Sequence, residues 1–310
     1  MTPLTLLGGY LGSGKTTLVN ALLAGAGGRR IAVLVNDFGA VNIDADLIRR
    51  RGATTLELAN GCVCCDLADG MAAAMVTLAG LEPRPEYAVV ELSGVADPAV
   101  MAAWGRYPGF TPGGVLVCAD AETVRARAAD KFVGDTVTHQ LGGADLILLT
   151  KTDLVGERAA ASVREWLART APGVPVAAAA AGTDPGAAAR LLLDPPPGTG
   201  APAPSVPAAP GSHAAHHAWS GATYAPVDRA ALEAALDALG PAVVRVKGVV
   251  RLADALDRRT VVQVVGRRRE LTDDGSWPAD PPPPSRLVAI AVHPEAAADA
   301  ARTLAGAGFA

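Results

Sequence analysis

Short, unbroken apolar runs alternate along this chain with longer stretches whose apolar positions recur every three or four residues. The short runs are Leu4–Leu7, Ile31–Asn36, Tyr87–Glu91, Val115–Asp120, Asp145–Thr150 and Val174–Ala179. Their length and β-branched content predict strands. Continuous rather than alternating hydrophobicity marks strands covered on both faces, as in a parallel sheet. Between them Lys15–Leu23, Ala68–Leu78 and Glu157–Thr170 carry the helical period. This alternation predicts an α/β, doubly wound, mostly parallel sheet.

The pattern breaks after residue 193. From Asp194 to Gly211 the chain is rich in Pro, Ala and Gly with almost no charge. Such a segment cannot bury a core and behaves as a semi-rigid linker. Beyond it Asp228–Leu239 reads as an amphipathic helix, and Val243–Val250, Val261–Val265 and Leu287–Val292 read as strands. Pro281–Pro284 marks a loop, and a last helix follows Pro294. The expected division is a first domain over 1–193, a linker over 194–217 and a smaller α+β domain over 218–310.

Composition narrows the function classes. Of 310 residues, 50% are hydrophobic and 19% charged, enough for a sizeable core. A net charge of -4 leaves no basic excess for nucleic acid or an anionic membrane. No apolar run approaches the roughly 18–20 residues that span a bilayer. The opening MTPLTLLGGYLGSGK lacks the basic n-region of a secretory signal. The expectation is a cytoplasmic protein, whose thiols stay reduced.

One loop carries specific chemistry. Gly9-Tyr10-Leu11-Gly12-Ser13-Gly14-Lys15-Thr16 fits G-x-x-x-x-G-K-[ST] between a predicted strand and a predicted helix, where a phosphate-binding loop belongs. Its glycines let backbone N–H groups wrap a phosphate chain, and the helix adds its positive end. Lys15 would reach the β- and γ-phosphates, Thr16 would bind Mg²⁺, and Thr17 would lie near the α-phosphate. Such sites also need a carboxylate at a second strand's end. Glu91 supplies one, with Gly94 three residues on, where the backbone can approach a γ-phosphate. Asp37 is another acidic group at a strand's carboxyl end, the edge that lines the ligand crevice in this architecture.

The run Thr150-Lys151-Thr152-Asp153 follows a further strand. The Asp153 carboxylate could accept from guanine N1–H and N2–H₂, which adenine does not offer in that geometry. The run resembles the guanine-reading N-K-x-D of G proteins, with Thr150 in place of Asn. GTP is thus the expected nucleotide.

Three of the four cysteines fall in Asn60-Gly61-Cys62-Val63-Cys64-Cys65-Asp66. Taken alone, the cluster admits a disulfide, buried small thiols or a metal. A disulfide between neighbours closes a strained ring, and the expected compartment opposes it. The fourth, Cys118, lies in the apolar strand VLVCAD and reads as core.

In order, GGYLGSGKTT, VNDFGAVNID, NGCVCC, ELSG and TKTD resemble the CobW-type GTPases, metal-handling G proteins related to the urease and hydrogenase accessory GTPases. Arg245-Val-Lys247-Gly248 is similar to a short basic motif in that family's C-terminal domain. The resemblance implies a P-loop NTPase fold and a transition-metal site at Cys62, Cys64 and Cys65. Thiolates suit Zn²⁺, and Co²⁺ by analogy, in tetrahedral sites. Three of them leave one position for a carrier to exchange; a closed structural zinc site and packing thiols are the alternatives. The resemblance further implies a GTPase acting as a metallochaperone or metal insertase, most simply for zinc, with a client metalloprotein as partner and a homodimer as a possible state; no arginine finger is evident in the sequence, so slow intrinsic turnover is expected. Other classes on the same residues are a P-loop small-molecule kinase and a nucleotide-gated zinc buffer without a client. His213, His216 and His217 offer an accessory metal site or a solvated linker. Arg245 and Lys247 offer client contacts or a solvated strand face.

Overall fold

The computed structural model describes residues 1–35, 54–57, 67–179, 184–194, 216–265, 268–277 and 282–309. Seven strands make the first sheet: β1 (Thr2–Gly8), β2 (Ile31–Val35), β3 (Thr54–Glu57), β4 (Tyr87–Glu91), β5 (Phe110–Asp120), β6 (Leu146–Thr150) and β7 (Val176–Ala179). Their order is β3-β2-β4-β1-β5-β6-β7, and each neighbouring pair is parallel. Sequence order is interleaved, as in a doubly wound α/β sheet. The unbroken apolar runs of β2 and β6 are buried along their whole length.

The helices of this sheet are α1 (Lys15–Ala24), α2 (Leu67–Ala79), α3 (Pro98–Met101), α4 (Val124–Ala128), α5 (Gly134–Gly142), α6 (Thr152–Val155), α7 (Glu157–Thr170) and α8 (Pro185–Leu193). Leu18, Val19 and Leu22 of α1 join Leu192 and Leu193 of α8 in a cluster over Val33, Val89, Leu116 and Leu148. Each fully buried leucine contributes about 1.5–3 kcal/mol relative to exposure. That cluster fixes α1, and with it the loop that precedes α1.

Strand register gathers the site at one edge. Glu91 pairs with Leu7 on one side and Val35 on the other, and Val35 pairs in turn with Glu57. Asp120 pairs with Thr150 on the far side of β1. All these residues sit at the carboxyl ends of parallel strands, where ligands bind in open α/β sheets.

The second sheet is antiparallel, in the order β11-β10-β9-β12-β8. Its strands are β8 (His217–Thr223), β9 (Val243–Val250), β10 (Arg258–Val265), β11 (Arg268–Ser276) and β12 (Ser285–Ala291), with helices α9 (Arg229–Asp237) and α10 (Pro294–Ala305). Leu232, Leu236, Val246, Val262, Leu287, Leu304 and Phe309 form its core. Asp228 is an N-cap, its side chain accepting from the Ala231 N–H, so α9 starts one residue later than the apolar period suggests.

Sequence periodicity does not reveal the edge strands β8 and β11. β8 reads HAWSGAT and β11 reads RRELTDDGS; neither has an apolar run. Paired on one side only, they draw stability from backbone bonds and charge. Arg258 of β10 is held by Asp273 through Nη2–Oδ1 at 2.8 Å. A charged edge also resists pairing with another chain. His217 begins β8 rather than closing the linker, and His213 lies outside the described residues. Within β9 Arg245 is partly exposed, whereas Lys247 is buried, which removes Lys247 from any contact surface. Among the described residues no helix is long and apolar enough to cross a membrane.

Candidate functional site

Between β1 and α1 the backbone turns through three left-handed glycines, Gly9 (φ 126°), Gly12 (φ 79°) and Gly14 (φ 94°). L side chains rarely adopt these angles. At Gly9 space forbids them as well, since a Cβ there would stand 2.4 Å from the Cys118 carbonyl oxygen. The loop is seated directly on β5. It closes through Ser13 N–H to the Tyr10 carbonyl at 3.1 Å, and Gly14 caps α1 without a side chain. The first N–H groups of α1 therefore face the loop, a ready anion site.

Among the predicted residues, Lys15, Thr16, Glu91 and Gly94 meet at this loop. Lys15 is 5% exposed, and its Nζ donates to the Gly9 carbonyl at 2.7 Å, folded back across the loop. Thr16 Oγ1 donates to Glu91 Oε1 at 2.8 Å. Glu91 is 2% exposed, a carboxylate tolerable at that depth only with polar company. Thr17 faces solvent. Ser13 Oγ is buried and makes no hydrogen bond among the described residues. A buried orphan hydroxyl inside a phosphate-type loop fits an anionic ligand. A threonine hydroxyl touching a carboxylate fits a hard, oxygen-seeking cation such as Mg²⁺. Gly94 is pressed against the loop, with a Cβ there lying 2.5 Å from Leu11 Cδ2 and 2.8 Å from Leu11 N.

The TKTD run forms the other wall. Thr150 is buried, and its hydroxyl proton is shared between the Ser13 carbonyl at 2.8 Å and the Ala119 carbonyl at 3.1 Å. A short hydroxyl thus ties the phosphate loop to the base-side strands. Lys151 is the one non-glycine with positive φ among the described residues, at 56°, a conformation costing about 1–2 kcal/mol. An ion pair from its Nζ to Asp120 Oδ2 at 2.7 Å holds it there. Asp120 Oδ1 accepts from the Glu122 N–H at 2.9 Å. Asp153 is exposed in the first turn of α6.

Asp120 is the member that sequence reasoning missed. Its signal was available: one carboxylate ending an apolar strand, at the edge where strands meet ligands. Cys118, two residues earlier, is core as expected. Burial pushes its thiol up to about 12, with nearby Lys15 opposing and Glu91 adding to the rise, so it is inert as a nucleophile or ligand. Asp37, Cys62, Cys64 and Cys65 lie outside the described residues. The segment bearing the three cysteines runs from β3 to α2. The chain leaves β3 at Glu57, on the edge shared with Glu91.

Residues 3–178 match the family model described as CobW/HypB/UreG, nucleotide-binding domain. The chain belongs to this family. Residues 217–306 match the cobalamin synthesis protein cobW C-terminal domain. Over 346 aligned positions the chain is 32% identical to a protein of Sinorhizobium sp named zinc chaperone CobW, covering 97% of this chain and 96% of the relative. A Pseudomonas aeruginosa protein of the same name is 30% identical, at 93% and 87% coverage. The Escherichia coli zinc chaperone YjiA is 35% identical over 182 positions, 56% of this chain and 55% of the relative. A nucleotide-binding domain accords with the glycine loop already described.

Proposed function

We propose that this chain is a metal-handling GTPase that carries zinc to a client metalloprotein. One observation carries the reading: the strand that leads to Cys62, Cys64 and Cys65 ends on the same sheet edge, two strands from Glu91. A nucleotide at the glycine loop and a metal on the thiolates of that segment would be linked through this edge. Whole-length similarity to proteins named zinc chaperones supports zinc as cargo.

Each residue then has a task. Gly9, Gly12 and Gly14 present N–H groups to the phosphates, and Ser13 offers its hydroxyl, since its N–H closes the loop onto the Tyr10 carbonyl. Lys15 exchanges the Gly9 carbonyl for β- and γ-oxygens. Thr16, with Glu91 and Asp37 near the γ-phosphate, holds Mg²⁺, which supplies charge neutralisation when bound. Gly94 brings backbone beside the γ-phosphate. Thr150 keeps the loop docked, Lys151 packs along the base, and Asp153 reads the guanine edge. GTP orders the Asp37 and cysteine segments; hydrolysis loosens them and the metal leaves. Linkage requires that zinc tighten GTP by the same factor by which GTP tightens zinc, typically through about 1–3 kcal/mol of coupling. Intrinsic turnover is slow, as expected of a GTPase whose sequence motifs include no arginine finger. Residues 218–310 recognise the client, with Arg245 as a contact.

Phosphate release from Mg-GTP and Mg-ATP, with and without Zn²⁺, tests the proposal. Slow GTP-selective release that disappears in Lys15→Ala supports it. Equal use of ATP, or transfer of the phosphoryl group to a small acceptor, refutes it.

A further inference from the structure

Gln140, on α5, is 1% exposed and is not part of the phosphate loop, the base wall or the cysteine segment. Its Nε2 donates to two backbone carbonyls, Gly94 at 3.2 Å and Ala96 at 2.8 Å. Two carbonyl acceptors fix the orientation of the amide, since only the NH₂ end can donate. Both acceptors lie in the turn that follows β4 and Glu91. That turn closes on itself through Ala96 N–H to the Ser93 carbonyl at 3.1 Å. Its Gly94 abuts Leu11 of the phosphate loop.

The other end of the amide completes the picture. Gln140 Oε1 is buried and makes no hydrogen bond among the described residues, and the same holds for Ser13 Oγ. Both residues line one cavity, together with Tyr10, Cys118, Asp120 and Arg127. The Ser13 hydroxyl and the Gln140 amide oxygen thus belong to residues that border the same small cavity. A helix outside the nucleotide motifs thus grips the turn after Glu91 and reaches toward the phosphate loop.

We infer that Gln140 is a positioning residue that holds the Gly94–Ala96 turn at the height where its backbone meets a γ-phosphate. This rests on the GTP-binding reading above. The amide does not touch nucleotide; it acts through the turn. Its loss must therefore weaken binding of the triphosphate and spare the diphosphate, whose phosphates end before the turn. A residue that merely filled the core would weaken both alike.

The test uses the full chain with Mg²⁺, fluorescent GDP and a fluorescent non-hydrolysable GTP analogue. Gln140→Leu keeps the bulk and removes both hydrogen bonds. The expected result is about a ten-fold weaker analogue affinity with GDP affinity within about two-fold, the scale of one or two buried hydrogen bonds. Gln140→Met carries the same test if the leucine variant does not fold, because a thioether cannot donate to either carbonyl. Equal loss for both nucleotides, or no loss for either, overturns the inference while leaving GTP binding intact. Failure of the wild-type chain to bind guanine nucleotides overturns the GTP-binding reading and this inference together.

Discussion

Replacing Thr150 by Val removes one oxygen and almost no volume. The side chain is 5% exposed, so water cannot take over as donor. The lost proton served the Ser13 carbonyl at 2.8 Å and the Ala119 carbonyl at 3.1 Å. A typical hydrogen bond contributes about 0.5–1.5 kcal/mol net, and a buried acceptor left without a donor costs about 1–3 kcal/mol. Valine suits a strand as well as threonine does, so no propensity or cavity cost is added. The expected destabilisation is about 1.5–2 kcal/mol by urea unfolding, a value set by those two ranges. Because Ser13 belongs to the phosphate loop, GDP affinity should fall about ten-fold, equivalent to roughly 1.4 kcal/mol. Thr150→Ser, which keeps the hydroxyl, should restore most of both. If Thr150→Val matched wild type within about 0.3 kcal/mol and bound GDP normally, the hydroxyl tie would be irrelevant, since even a weak hydrogen bond exceeds that difference.

Further outcomes follow from the same geometry. Gly9→Ala forces a Cβ to 2.4 Å from the Cys118 oxygen and should abolish nucleotide binding in calorimetry; retained binding would mean the loop is not seated as described. Asp120→Asn removes the charge that holds Lys151, and competition titration should show GTP losing several-fold of its advantage over ATP. Alkaline pH offers a linkage test on Cys118. Its thiol is raised toward about 12 by burial, so the neutral form is favoured in the folded state. The stabilisation is complete below the ordinary thiol range near 8.5 and is lost as pH climbs through the folded value. Urea midpoints should therefore fall with rising alkalinity more steeply for wild type than for Cys118→Ala; parallel slopes would show that the thiol is not buried.

The parallel sheet was legible because its strands are covered on both faces and must be continuously apolar, as Ile31–Val35 and Leu146–Thr150 are. The phosphate loop was legible because its chemistry is compressed into eight consecutive residues. The edge strands β8 and β11 were not: RRELTDDGS pairs on one side and hides no face, so hydrophobicity says nothing about it. Asp120 and Gln140 escaped for another reason. Their roles come from partners 31 and 46 residues away in sequence, Lys151 and Gly94, and no local pattern announces a contact made by folding. Thr150 shows the converse: it stands where the guanine-reading motif has Asn, and its hydroxyl reaches the loop directly.

The central claim is the linkage between nucleotide and metal, and a Zn²⁺ competition titration against a chelating indicator measures it. The titration is run without nucleotide, with Mg-GDP, and with a non-hydrolysable Mg-GTP analogue. Zinc affinity should tighten roughly 5–150-fold, the range of ordinary coupling energies, with the GTP analogue alone, and the tightening should be lost in Cys64→Ser. Equal zinc affinity in all three states, or an unchanged affinity in Cys64→Ser, would contradict the linkage.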